Sequence, residues 1–180
     1  AYDVIAEIVN NVSYWSTPYL CDMLVDIMND SSRAQKEYAI LTLKLLVEKN
    51  SDQVRICMPK LIPVIVSSIG DVTPGVKKNS SDVLELLLKC SGNADLDNFI
   101  PIVLKGLKEP STVDSAVEGL ASCVFVQNVE APALAITTPI LVKGLNEKLT
   151  STKRKCCIII DNMCQLVEHP KEILPFYTRL

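Results

Sequence analysis

Four prolines set the frame for this chain. Pro63, Pro101, Pro139 and Pro175 follow one another at intervals of 38, 38 and 36 residues. Acidic residues between apolar segments keep a similar step: Asp30, Asp71, Glu109 and Glu147 are separated by 41, 38 and 38. Short words recur in the same register, LKGLKEPS at 104–111 against VKGLNEKL at 142–149. A recurrence of this length is long for a single helix and suits two helices joined by a turn. One such hairpin has too little core to stand alone, so neighbouring copies must cover its apolar surface.

The unit is plainest at Thr137–Val167, TTPILVKGLNEKLTSTKRKCCIIIDNMCQLV. This reads as a first helix started or kinked at Pro139, a polar turn, and a second helix. The second opens on Lys153-Arg154-Lys155 and runs into the apolar block Cys156–Ile160. Weaker copies precede it. Val4, Ile5, Ile8, Val9 and Val12 form one helical stripe. Ser16-Thr17-Pro18 is a helix start, followed by inward Leu20, Met23, Leu24, Ile27 and Met28. After a turn at 29–32, Ala39, Ile40, Leu43, Leu46 and Val47 share a face of a helix ending at Asn50. Pro59 to Pro63 starts a helix to Ile69, and Val83, Leu84, Leu87 and Leu88 line its return partner, Val76–Cys90. Phe99, Ile100, Val103, Leu104 and Leu107 mark another first helix, with Val113–Phe125 returning.

The expected fold is therefore all-α: an α-solenoid of HEAT/armadillo-like helical hairpins in a right-handed superhelical stack. The expected organisation is a single repeat domain over 1–180. It has the second helix of a truncated repeat at 1–12, hairpins at 18–50, 58–91, 96–127 and 132–168, and the start of a further repeat at 170–180. A compact helical bundle is the rival, but a bundle does not require prolines in register. The chain begins at Ala1 and stops at Leu180 as another helix opens, so it reads as a piece of a longer protein.

Composition excludes several classes. With 48% hydrophobic and 22% charged residues over 180 positions, the chain is too apolar for disorder. Aromatics are 5%, so Leu, Ile and Val carry the core. The formal net charge of −3 gives no overall footprint for nucleic acid; DNA is not expected, and any RNA contact needs a local basic patch. No run approaches the length of a transmembrane helix and no signal-peptide pattern is present, so no membrane partner is expected. The seven cysteines (21, 57, 90, 123, 156, 157 and 164) form no CxxC and read as small buried hydrophobes on helical faces. The equal spacing of Cys57, Cys90, Cys123 and Cys156 is out of step with the repeat and is read as chance. His169, before Pro170, suits a helix C-terminus. Asp161 and Asn162, inside IIIDNM, read as a polar pair that fixes packing. No phosphate loop, GxGxxG or GxSxG is present, so no catalytic residue, metal ligand or cofactor is expected in the chain itself.

The basic residues carry more information. Lys143, Lys148, Lys153, Arg154 and Lys155 surround one turn and the helix start after it. Lys105 and Lys108 lie at the equivalent edge one repeat earlier, and Lys77 and Lys78 two repeats earlier. Stacked in register, they would form a basic stripe along one edge. It reads either as a solvated face or as a partner surface. Cations at a helix start oppose the helix dipole, so folding does not favour Lys153-Arg154-Lys155 there. A phosphate-rich partner such as ribosomal RNA would account for them through backbone contacts. No aromatics are interleaved for base stacking.

The segment KGLNEK…KRK…IIIDNMCQLVEHP…ILPF at 143–176 resembles the HEAT-repeat domain of the fungal-type translation elongation factor three family. The likeness extends through VRICMPKLIPVI (54–65), FIPIVLKGL (99–107) and FVQNVEAPALAITTPIL (125–141). A looser likeness is to a ribosome-binding general-control kinase activator. The resemblance implies a non-catalytic cytoplasmic arm that contacts rRNA and ribosomal proteins. In the parent family, ABC ATPase modules bind ATP and help release tRNA from the ribosomal E site. It also implies that Lys153, Arg154 and Lys155, with the neighbouring edge lysines, face the ribosome. A generic protein–protein scaffold is the reading from a different class.

Overall fold

The computed structural model describes residues 2–30 and 32–178. The turn acid expected at Asp30, as a side chain, and Ser31 beside it lie outside the described residues. The described elements are helices and turns, in two compact units, Ala1–Cys90 and Ser91–Leu180. Each unit is a stack of helical hairpins of the α-solenoid class.

The first unit contains α1 (Tyr2–Asn11), α2 (Thr17–Asp30), α3 (Arg33–Lys49), α4 (Ser51–Ser68) and α5 (Pro74–Lys89). Helix α2 packs on α3 within a hairpin and on α4 in the next; α3 likewise packs on α1 and α5. First helices thus stack on first helices and second on second. Ile40, Leu43 and Leu46 of α3, Val54, Met58, Leu61, Ile62 and Ile65 of α4, and Val83, Leu84, Leu87 and Leu88 of α5 are all fully buried. The second unit contains α6 (Ala94–Asp97), α7 (Ile100–Lys108), α8 (Val113–Ala121), α9 (Ala131–Asn146) and α10 (Thr150–Gln165). Here α7 stacks on α9 and α8 on α10. Helix α9 is buried almost all round, from Pro132 to Gly144, as befits a helix with neighbours on several sides.

The recurrence that organises the sequence reappears as bonds between stacked helices. In the first unit Lys60 Nζ meets Asp22 Oδ1 at 2.6 Å across 38 residues, and Lys49 Nζ donates to the carbonyl of Val9 across 40. In the second, Thr152 Oγ1 donates to Asp114 Oδ1 at 2.8 Å across 38 residues, and Lys143 Nζ to the Leu107 carbonyl across 36. The repeated KGL word also acquires a cause. A Cβ on Gly106 would lie 2.7 Å from Ala116 Cβ and 2.9 Å from Ile140 Cδ1. One on Gly144 would lie 2.5 Å from Cys156 Sγ and 2.9 Å from Val117 Cγ2. Both glycines let a first helix approach its neighbours closely.

Several expectations need revision. Pro59 and Pro63 do not start a helix; they sit inside α4, which begins at Ser51. The buried positions Val54, Cys57, Met58, Leu61, Ile62 and Ile65 continue across both prolines, and the packing on that face outweighs the lost backbone bonds. Pro139, read as either starting or kinking its helix, is interior to α9, which carries Pro132 in its first turn. Helix α8 stops at Ala121, and residues 122–130 form a non-helical strap instead of continuing to Phe125. The carboxylate of Asp95 holds that strap by accepting from the Val126 and Gln127 amides, each at 2.8 Å. Residues Pro170–Glu172 make one 3-10 turn, and the described residues to Thr178 continue as turns, not an α-helix. Val4, Ile8 and Met23 are exposed where an inward stripe was expected. Cys157 and Cys164 are exposed as well, while Cys21, Cys57, Cys123 and Cys156 are buried. The evenly spaced cysteines share no structural place: Cys57 is within α4, Cys90 caps α5, Cys123 lies in the strap and Cys156 is within α10.

Candidate nucleic-acid interface

The turn after α9 positions the basic cluster. Glu147 and Leu149 are extended, and Leu149 precedes the first helical residue of α10 without a side-chain cap. Helix α10 begins at Thr150, three residues ahead of the expected start, so Lys153 closes its first turn and Arg154 and Lys155 enter its second. Thr152, Cys156, Ile159 and Met163 are buried at helical spacing. Lys153 and Arg154, displaced from that stripe, are exposed.

The nine basic candidates separate by what they touch. Lys143 is half-buried, and its ammonium donates to the Leu107 carbonyl at 2.9 Å, near the end of α7. Burial pushes its pKa down. This lysine ties one first helix to the next and is not a free edge cation. Lys155 pairs with Glu118 of α8 and helps hold α10 in the stack. Lys148, Lys153 and Arg154 are exposed and form no side-chain hydrogen bond or ion pair among the described residues. Lys105 and Lys108, in the last turn of α7, are exposed too; there they favour the helix dipole, so folding alone accounts for them. Since α7 stacks on α9 and α8 on α10, the turns after α7 and α9 emerge at the same end of this unit. Lys105, Lys108, Lys148, Lys153 and Arg154 share that end. Lys77 and Lys78 are exposed near the start of α5, in the other unit.

Helix electrostatics distinguish the two strongest candidates. The first turn of α10 holds no acid, so nothing in that turn offsets Lys153 at the positive end of the dipole. Exposed, unpaired cations of this kind suit phosphate oxygens and supply no base specificity.

The remaining polar residues of this region have local roles. Asp161 is exposed and accepts from Gln165 Nε2 at 3.0 Å, so it does not face an adjacent repeat. His169 is exposed and precedes the 3-10 turn, four residues beyond the end of α10, without capping that helix. Among the described residues no group of three or more His, Cys, Asp or Glu is arranged to hold a metal ion. No described helix is long and apolar enough to cross a membrane. One feature escaped the reading of the sequence: Trp15, Tyr19 and Met23, four residues apart, are all exposed. The signal was present in that spacing and in the absence of Lys and Arg from Ala1 to Ser32.

Comparisons with known proteins agree with this architecture at both ends of the chain. A family model described as EF3 N-terminal HEAT repeat matches residues 1–84. A second, described as Elongation factor 3/GNC1 HEAT repeat, matches residues 111–180. Elongation factor 3 of Pneumocystis carinii is 33% identical over 100% of the chain. Elongation factor 3A of Saccharomyces cerevisiae and Elongation factor 3 of Phytophthora infestans are each 34% identical over the same extent. The chain spans 17% of the length of each of these relatives. With both ends matched by HEAT models of one factor and its relatives aligned throughout, the chain belongs to the elongation factor 3 HEAT-repeat family.

Proposed function

We propose that this chain is the ribosome-binding HEAT-repeat region of an elongation factor 3-like protein acting in the cytoplasm. It works by shape and edge charge and performs no catalysis itself. In a parent protein carrying ABC ATPase modules, it would support ATP-dependent release of tRNA from the ribosomal E site by holding the factor on the ribosome. The observation that carries this reading is the exposed, unpaired Lys153–Arg154 pair at the start of α10, on a segment matched by the family model. Lys148, Lys105 and Lys108 extend the same end, and rRNA phosphates are the proposed contacts.

The test is co-sedimentation of the 180-residue chain with purified ribosomes across a salt series. Binding that falls steeply with salt and is lost in the Lys153→Glu/Arg154→Glu double variant supports the reading. Salt-insensitive binding, or binding unchanged by the double variant, would contradict it and favour a protein–protein scaffold.

A further inference from the structure

We propose that Cys21 and Cys57 form a redox-sensitive staple: a hydroperoxide converts this buried thiol pair into a disulfide that locks the first helix of one hairpin onto the first helix of the next. Cys21 lies in α2 and Cys57 in α4, two helices that stack on each other within the first unit. Two bonds bracket the pair. On one side Asn50 Nδ2 donates to Thr17 Oγ1 at 2.8 Å, at the starts of the two helices. On the other, Lys60 Nζ meets Asp22 Oδ1 at 2.6 Å. The register between these ties brings Cys21 against Cys57, and the two thiols are hydrogen-bonded to each other. Both are free cysteines and both are buried. The partner of Cys57 is thus Cys21, on the stacked helix, and none of the evenly spaced set.

The surroundings give the two sulfurs different roles. Cys57 accepts the hydrogen bond from Cys21, and this lowers its pKa. The same bond, together with burial, pushes the Cys21 thiol up. Cys57 is also the more accessible sulfur, 7% exposed against 1% for Cys21. Because the thiolate is the nucleophile, Cys57 is the sulfur that attacks. With hydrogen peroxide, an S–O bond forms at Cys57, the O–O bond breaks, and hydroxide leaves and is protonated to water. The Cys21 sulfur then attacks the Cys57 sulfenic acid. The S–S bond forms, the S–O bond breaks, and a second water leaves with the Cys21 proton. Two thiols are oxidised by two electrons, and one peroxide is reduced to two waters. No residue of the basic edge takes part, so this inference is independent of the function proposed above.

The test is hydrogen peroxide added to the 180-residue chain, followed by alkylation under denaturing conditions and peptide mapping. The expected product is a linked pair of peptides carrying Cys21 and Cys57, two hydrogens lighter than the reduced pair and absent after dithiothreitol. Cys21→Ser should stop at a Cys57 sulfenic acid that dimedone traps. Cys57→Ser should give neither the link nor a dimedone adduct at Cys21. Circular dichroism melting checks that each variant is folded, and the wild-type map stands without either. Denaturation is compared in a Cys157→Ser/Cys164→Ser background, which removes the two exposed thiols. There, closing the loop should lower the unfolding constant at fixed denaturant by roughly tenfold or more, and dithiothreitol should restore it. The proposal is overturned if Cys157 and Cys164 oxidise while Cys21 and Cys57 remain open to alkylation. It is also overturned if the same link forms as fast in the urea-unfolded chain, or if oxidised and reduced chains unfold at the same denaturant concentration.

Discussion

The first turn of α10 and the outer face of α2 lie on helices of the same repeated hairpin, yet they carry opposite chemistry. At α10, Lys153 and Arg154 stand exposed and unpaired where the helix dipole already favours anions. At α2, three large apolar side chains stand exposed beside acids, in a stretch without basic residues. Lys153 gains nothing from its own helix, whose dipole it opposes. The buried faces of the same two helices follow ordinary rules: Cys21, Leu24 and Met28 on α2, and Cys156, Ile159 and Met163 on α10, are buried at helical spacing. In a repeat protein the inner face is constrained by the neighbouring copy, and the outer face is free to specialise.

The scaffold is the most sensitive place to disturb this comparison. Gly144→Val would drive a side chain into Cys156 and Val117, at the crossing that presents α10. A loss of about 1–3 kcal/mol is expected, measured by chemical denaturation followed by circular dichroism. Unchanged stability would show that the crossing has room for a branched side chain. Next comes Lys143→Met, which keeps the stem and removes the donor to Leu107. It should cost about 1 kcal/mol and leave ribosome binding nearly unaltered, separating this stapling lysine from the free ones. The Lys143 pKa is lowered in the folded state by burial, so the unfolded chain binds more protons between the folded pKa and 10.5. The burial penalty is complete below that window and is relieved as pH rises through it. Wild type should gain stability relative to Lys143→Met over this interval. A loss over the same interval would mean that the carbonyl contact outweighs burial.

Charge reversal at Lys153 and Arg154 should act in the other direction. Placing Glu near the start of α10 favours the dipole, and stability should rise by about 0.3–1 kcal/mol while ribosome binding falls. A loss of stability would mean that these cations have partners within the fold. Smallest of all is Lys155→Ala. It breaks a pair whose side chains are 36% and 69% exposed, and a change of about 0–1 kcal/mol is expected in a thermal melt.

Much of the scaffold is legible in the sequence because the repeat step is set by helix-on-helix stacking. The intervals between prolines and turn acids reappear as the separations of Lys60–Asp22 and Thr152–Asp114. Proline was over-read as punctuation: Pro59 and Pro63 sit in a helix whose buried stripe runs past them. The basic edge was legible as composition but not as contacts. Lys143, Lys153 and Lys155 look alike in sequence, and only the neighbouring helices show that two of them are engaged. The α2 face was missed because Met23 also fits a helical apolar stripe, and periodicity does not say which edge of the stripe the next helix covers. The strap at 122–130 depends on Asp95, some thirty residues away, and on no local turn signal.

The most direct test of the account is the salt dependence of ribosome binding, compared between the wild-type chain and Lys153→Glu/Arg154→Glu. The account predicts a steep fall of log K with log salt in the wild type. Loss of these two phosphate contacts should make the slope shallower by about 1.4–1.8. Equal slopes for the two proteins would contradict the assignment of these cations to a phosphate-bearing partner.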